Sequence, residues 1–260
     1  MPSKITRNIG IKNIYYFILK INSAIGLSFF YSQCYIHKII KTYFANFFYK
    51  LDYTFEPTRD NIKIQEYEIN QLYKRIKSTT PRIYNDYYTL TNLDYIPDFF
   101  KKIIEKHKKQ IEKYLGKNFV FEKITYSLTK KIPKNFESFD VYANLWHQDS
   151  DSFKLIKIFV LIDNVSIKDG PLTFLSEKKT KENWFILRER FGNYRITKIK
   201  GEQKFTGSVG DYIIIDTARN LHRASNPKNY REMLTIALYP KWSNISDVKR
   251  YRWDTFKNFI

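Results

Sequence analysis

The sequence predicts an α+β protein: a helical N-terminal part followed by an antiparallel sandwich or jelly roll. Three observations carry that prediction. Hydrophobic periodicity is helical up to about residue 115 and strand-like after it. The later apolar runs are short, rich in β-branched and aromatic residues, and bounded by Gly, Pro, Asp and Asn. Gly and Pro number only eight each in 260 residues, which argues against long linkers and low-complexity tails.

Taken in order, residues 9–50 are strongly aromatic with lysine punctuation (IYYFILK, LSFFYSQCY, KTYFANFFYKL). They are expected to pack as helices on the core. The same pattern could lie on an anionic membrane surface, so peripheral membrane contact through residues 1–60 is the competing expectation. Asn61 to Lys77 predicts an amphipathic helix. Pro97 to Leu115 predicts the strongest one, opening with Pro97-Asp98 and closing at Gly116. Phe100, Ile103, Ile104, Ile111 and Leu115 form one face of it and lysines the other. His107, among Lys and Glu on that helix, is expected at a solvated surface. Strands are expected at Phe119–Ser127, Phe139–Trp146, Lys154–Leu161, Leu172–Leu175, Tyr212–Ile215 and Met233–Tyr239, with Trp184 to Phe191 an inserted helix or loop. The expected organisation is a helical extension over 1–115 belonging to the same unit, a β core over 116–245 and a tail over 246–260. No internal repeat is visible.

Composition narrows the function classes. With 43% hydrophobic and 27% charged residues, a soluble globular chain is expected. Aromatics reach 18%, mostly Tyr and Phe. The single cysteine, Cys34, reads as a buried small hydrophobe. It excludes an internal disulfide, and the cysteine clusters of structural zinc sites are absent. The net charge of +19 favours anionic partners, although lysine is spread along the whole length, as a Lys-, Ile-, Asn-, Tyr- and Phe-biased composition would also produce. The longest charge-free apolar stretch, Ile21 to Ile36, is shorter than the ~20 residues a spanning helix needs. Lys12 and Lys20 interrupt any signal-like segment, so a cytoplasmic enzyme is expected.

Of four histidines, two stand at strand edges in suggestive company. In His147-Gln148-Asp149, residues i and i+2 of an extended chain point to one side, so an imidazole and a carboxylate can converge on one ion. His222 comes 73 positions after Asp149, just past an apolar strand. Two histidines and one carboxylate make the facial triad of non-haem Fe(II) oxygenases, which leaves three coordination positions open. A bidentate 2-oxo acid takes two and dioxygen the third. Arg231 follows His222 by nine residues at the start of the next strand, where a guanidinium can clamp the distal carboxylate of 2-oxoglutarate. Each part alone is a weak signal. H-x-D, several strands, His, then Arg on the next strand is a specific order.

These motifs are similar to those of phytanoyl-CoA dioxygenase-like enzymes. NLWHQDSD (Asn144 to Asp151) resembles the family's metal motif, followed by the strand FVLID (Phe159 to Asp163). In DGPLTFLSEKKT (Asp169 to Thr180), Gly170-Pro171-Leu172 sits where the family has "NGPL" before a "PGSH" turn. GDYIIID (Gly210 to Asp216) matches its "GD" before an apolar strand, and Leu221-His222-Arg223-Ala224-Ser225 its "LHRxS". The resemblance covers about residues 120 to 240. It departs at Ser176-Glu177-Lys178-Lys179, which replaces the turn over the site, and it does not reach the region before residue 115.

The resemblance implies a double-stranded β-helix, a cupin-like jelly roll with helices against one sheet. It implies that His147, Asp149 and His222 ligate Fe(II), that Arg231 binds 2-oxoglutarate, and that Ser225 adds a hydrogen bond to the same carboxylate. The implied reaction couples oxidative decarboxylation of 2-oxoglutarate by dioxygen to substrate hydroxylation, releasing succinate and CO2. Related halogenases have Gly or Ala in place of the carboxylate, so Asp149 implies hydroxylation. The substrate is expected to be small and anionic, or lipid- or glycan-like. Nucleic acid is disfavoured, because Glu232, Met233, Leu234 and Thr235 after Arg231 do not match repair oxygenases of this fold. The alternative is a basic polyanion- or membrane-surface-binding jelly roll without turnover.

Overall fold

The computed structural model describes residues 55–241, apart from 123, 135–136, 138–140, 150–151, 153 and 183–198, together with the backbone of Tyr251–Arg252. The expectations for residues 9–50, Cys34, Trp184–Phe191 and most of the tail lie outside the described residues. Among these residues no helix is long and apolar enough to cross a membrane.

Two helices form where apolar side chains recur at helical spacing. In α1 (Glu66–Ser78), Ile69, Leu72, Tyr73 and Ile76 turn to the core. The Glu68 carboxylate accepts from the Gln65 N–H at 2.8 Å and closes the first turn. In α2 (Asp98–Leu115), Phe99, Phe100, Ile103, Ile104, Ile111, Tyr114 and Leu115 are buried, and Gly116 at φ 95° ends it. His107 is not at a solvated surface. Its Nε2 lies 2.8 Å from the Tyr212 hydroxyl, with 12% of the side chain exposed, because that face of α2 rests on the sheet.

The region 55–115 also carries strands that the helical reading missed. β1 (Thr58–Asn61) takes the edge of the sheet, which delays α1 by five residues. β2 (Ile83–Tyr84) and β3 (Tyr88–Asn92) form a hairpin. The run YTLTN is β-branched and alternating, but too short to declare itself.

The main sheet continues with β4 (Val120–Phe121), β5 (Thr125–Lys130), β6 (Ile156–Leu161), β9 (Asp211–Asp216) and β11 (Tyr230–Tyr239). Its order is β1-β9-β6-β11-β5-β3-β2, antiparallel throughout. β4 also pairs with β11, and β12 (Tyr251–Arg252) with β4. The minor sheet is β10-β7-β8, from β7 (Leu172–Phe174), β8 (Gln203–Phe205) and β10 (His222–Ala224). Alternation along each strand sorts residues into two cores. Ile156, Ile158, Val160, Ile214, Leu234, Ile236 and Leu238 pack under the helices. Phe159, Leu161, Ile213, Ile215 and Met233 face Leu172, Phe174 and Phe205 of the minor sheet. Fully burying each such side chain contributes ~1.5–3 kcal/mol.

The expected strand Phe139–Trp146 does not form over the described residues 141–146. The Asn144 side-chain carbonyl accepts from the Val141 N–H at 2.7 Å, and Ala143 takes φ 64°. This local bonding competes with a ladder and leaves a bent loop leading into His147.

Candidate metal centre and cavity

Strand-like pairing resumes at His147, which forms an isolated antiparallel bridge with His222. Each residue's N–H donates to the other's carbonyl at 3.0 Å, so the two histidines lie opposite each other with ring centroids 4.3 Å apart. Two residues on, the Asp149 N–H donates to the Thr217 carbonyl at 2.9 Å. The carboxylate then stands 3.9 Å from His147 Nε2 and 3.7 Å from His222 Nε2. One ligand atom from each of the three buried residues lies within 4.8 Å of the others.

The turn carrying Thr217 and His222 is held from below. Asp216 accepts from the Tyr114 hydroxyl of α2 and from the Ala218 N–H, the latter at 2.8 Å. Arg219 pairs with Glu177 of α3 (Glu177–Glu182), and the Asn220 amide donates to the Leu175 carbonyl at 2.7 Å.

Backbone carbonyls also set the imidazoles. His147 Nδ1 lies 2.7 Å from the Leu145 carbonyl and His222 Nδ1 3.0 Å from the Asn220 carbonyl. A carbonyl only accepts, so each Nδ1 carries the proton and each Nε2 offers a lone pair to the centre. Asp149 Oδ2 is shielded from solvent and accepts no hydrogen bond. Lys157 Nζ stands 2.9 Å from it as an ion pair, out of line for a hydrogen bond. Burial alone would push the Asp149 carboxyl up, but Lys157 and, once protonated in acid, His222 and His147 outweigh it and hold it well below the usual carboxylate range. An ionised carboxylate with an unsatisfied oxygen, facing two imidazole lone pairs, is a donor set that fits a divalent metal ion.

Arg231, in β11, reaches the same cavity. It is 4% exposed, and its guanidinium donates to the Gly170 carbonyl and to Thr129 Oγ1, the latter at 3.4 Å. Its Nε has no partner, and no carboxylate among the described residues pairs with it. Burial pushes its pKa down to about 10, which leaves it charged at neutral pH. The triad, Arg231 and Lys157 all line one cavity of about 270 Å³ between the sheets. Ser225 does not line it: its hydroxyl is 2.7 Å from Thr173 Oγ1.

Sequence reasoning therefore found the three clustered residues and Arg231, and missed Lys157, Thr129 and the Thr217 carbonyl. Lys157 had a signal, being the one charge inside the apolar strand IKIFVL.

No protein-family model matches the sequence, and no curated protein matches it. Solved structures do resemble it. HygX from Streptomyces hygroscopicus, with nickel, 2-oxoglutarate and hygromycin B bound, superposes with a TM-score of 0.51 at 10% identity, covering 78% of this chain and 95% of that one. A second HygX structure, with nickel and 2-oxoglutarate bound, gives 0.49 at 8% identity over 72% and 83%. A prolyl hydroxylase from Trichoplax adhaerens, in complex with a hypoxia inducible factor peptide fragment, gives 0.47 at 8% over 72% and 84%. The first likeness and the strand order define the fold as a double-stranded β-helix. Fold and site together describe a jelly-roll protein with a buried His-Asp-His group able to hold a metal ion.

Proposed function

We propose that the protein is an Fe(II)- and 2-oxoglutarate-dependent oxygenase of the phytanoyl-CoA dioxygenase-like kind. It would hydroxylate an unactivated C–H bond of a small anionic, lipid- or glycan-like substrate and release succinate and CO2. His147, Asp149 and His222 would hold the iron, and Arg231 the far carboxylate of 2-oxoglutarate. When bound, the iron with 2-oxoglutarate and dioxygen supplies the oxidising chemistry. The protein does the rest. The Leu145 and Asn220 carbonyls keep both Nε2 atoms deprotonated and aimed at the centre. Asp149 occupies the third protein position, which favours hydroxylation over halogenation. Phe159, Leu172 and Met233 give the cavity an apolar wall that limits water.

One observation carries this reading: a buried guanidinium with no carboxylate partner among the described residues, in the same cavity as the triad. A jelly roll that only bound metal would have no use for that charge, whereas a dicarboxylate supplies its missing partner. HygX, which shares the fold, holds nickel and 2-oxoglutarate. The alternative, a polyanion- or membrane-surface-binding module, gains nothing from a buried cluster.

The test is succinate formation by anaerobically iron-loaded protein given 2-oxoglutarate and air. Iron-dependent succinate is expected from the wild type and its loss from His147→Ala and Arg231→Ala. A wild type that binds neither iron nor 2-oxoglutarate would overturn the assignment.

A further inference from the structure

We propose that Lys157 anchors an anionic oxygen group, carboxylate or phosphate, of the primary substrate on the side of the metal centre opposite Arg231. The proposal rests on the oxygenase reading and narrows its substrate to a polar anion.

The order of groups along the cavity follows from strand register. On β11, Arg231, Met233, Thr235 and Ala237 line it. Arg231 and Ala237 are six residues apart, about 20 Å along a strand. Thr129 stands beside Arg231 on β5, and Thr125 beside Thr235. Lys157 on β6 lies opposite Ala237, whose small side chain leaves room above it. On the facing side, Ala224 pairs with Leu172, two residues from the Gly170 carbonyl that accepts from Arg231. His222 comes next, and Asp149 hangs on Thr217 beyond it. The metal centre therefore falls between the two cations. A co-substrate stretched from Arg231 to the metal leaves the Lys157 end free.

That end is mostly polar. Thr125, Thr235 and Glu122 line it with Lys157, beside the apolar Ala237 and Phe159, the latter opposite Thr235. The ammonium has three N–H donors, and Asp149 is the anion beside it. A divalent ion at the triad draws on the Asp149 charge and repels the ammonium a few ångströms away. The ion, Asp149, Arg231 and a doubly charged co-substrate balance one another. Lys157 and the partly exposed Glu122 stand outside that balance, and the ammonium beside the centre offers its N–H donors to an anionic substrate group.

The experiment uses full-length protein with Mn(II) at the triad and 2-oxoglutarate bound. Inorganic phosphate, and separately acetate labelled at its carboxyl carbon, are titrated while paramagnetic broadening of the phosphorus or carbon NMR line is read. Saturable broadening by at least one anion is expected for the wild type. It should weaken about tenfold in Lys157→Met, as for a lost charge-assisted bond, and persist in Lys157→Arg. Affinity for 2-oxoglutarate, read by calorimetry, should stay within about twofold in both variants, since a charged bond worth less than ~0.4 kcal/mol is in question there. No saturable broadening in the wild type, or equal broadening in Lys157→Met, overturns the proposal. Loss of 2-oxoglutarate affinity in Lys157→Met also overturns it, by assigning Lys157 to the co-substrate. If the wild type does not bind 2-oxoglutarate at all, the oxygenase reading falls first and this proposal with it.

Discussion

Arg231→Met should leave the unliganded protein near wild-type stability while abolishing its stabilisation by 2-oxoglutarate. The guanidinium is buried with no carboxylate partner among the described residues, and burial lowers its pKa from the ordinary arginine value to about 10. At ~1.4 kcal/mol per unit, keeping it charged costs the folded state about 3 kcal/mol. Met fills similar space and removes that cost. Against this, two hydrogen bonds disappear, at about 1 kcal/mol each, and the Gly170 carbonyl loses its donor, at about 1–3 kcal/mol. The two sides leave a net loss of about 0–2 kcal/mol, so the unliganded Tm should fall by no more than about 8 °C for a chain of this size. For the wild type, 2-oxoglutarate at one hundred times its Kd adds about 2.7 kcal/mol, or about 5–11 °C. Thermal melts of Ni(II)-loaded protein, with and without 2-oxoglutarate, measure both quantities. A variant that melts more than about 10 °C lower without ligand, yet keeps the full ligand shift, would make Arg231 a structural residue and refute the reasoning.

Two further outcomes are expected. Gly170 has φ 66°, and a Cβ there would meet the Ser225 carbonyl oxygen at 2.4 Å. Gly170→Ala should therefore cost about 3 kcal/mol or more by urea denaturation and weaken 2-oxoglutarate binding through the displaced Arg231 acceptor. Asp149, held below the usual carboxylate range, binds fewer protons folded than unfolded near pH 4. Its stabilisation of the metal-free protein is present above the ordinary value of about 3.9 and is lost as pH falls toward the lowered folded value. Denaturation curves between neutral pH and pH 3 should fall less steeply for Asp149→Asn than for the wild type, and parallel curves would exclude the effect.

Much of the centre was legible because its chemistry has a chain order. His147, Asp149, His222 and Arg231 are separated by strands, and antiparallel pairing brings such positions together whatever the intervening sequence. Helix α2 was legible because its apolar residues recur over eighteen positions. The failures were local. Asn144 diverted the expected strand before His147 by bonding two backbone N–H groups itself. β1 and β3 are too short for alternation to outweigh a helical neighbourhood. Ser225 was carried over from a motif, but its hydroxyl meets Thr173 Oγ1 and it does not line the cavity. The Thr217 carbonyl leaves no trace in residue identity, since every residue has one.

That last point extends to the imidazoles. Their tautomers are set by the carbonyls of Leu145 and Asn220, and their spacing by a reciprocal main-chain bridge. Replacing Leu145 with another residue leaves its carbonyl where it is, whereas inserting one residue between 145 and 147 withdraws that carbonyl from Nδ1 and shifts His147 out of pairing with His222. The centre is thus robust to drift in the side chains around it and fragile to changes in chain length. Single-residue insertions and deletions near 146 and 221 should disable it more consistently than a saturation library of substitutions at 145 and 221.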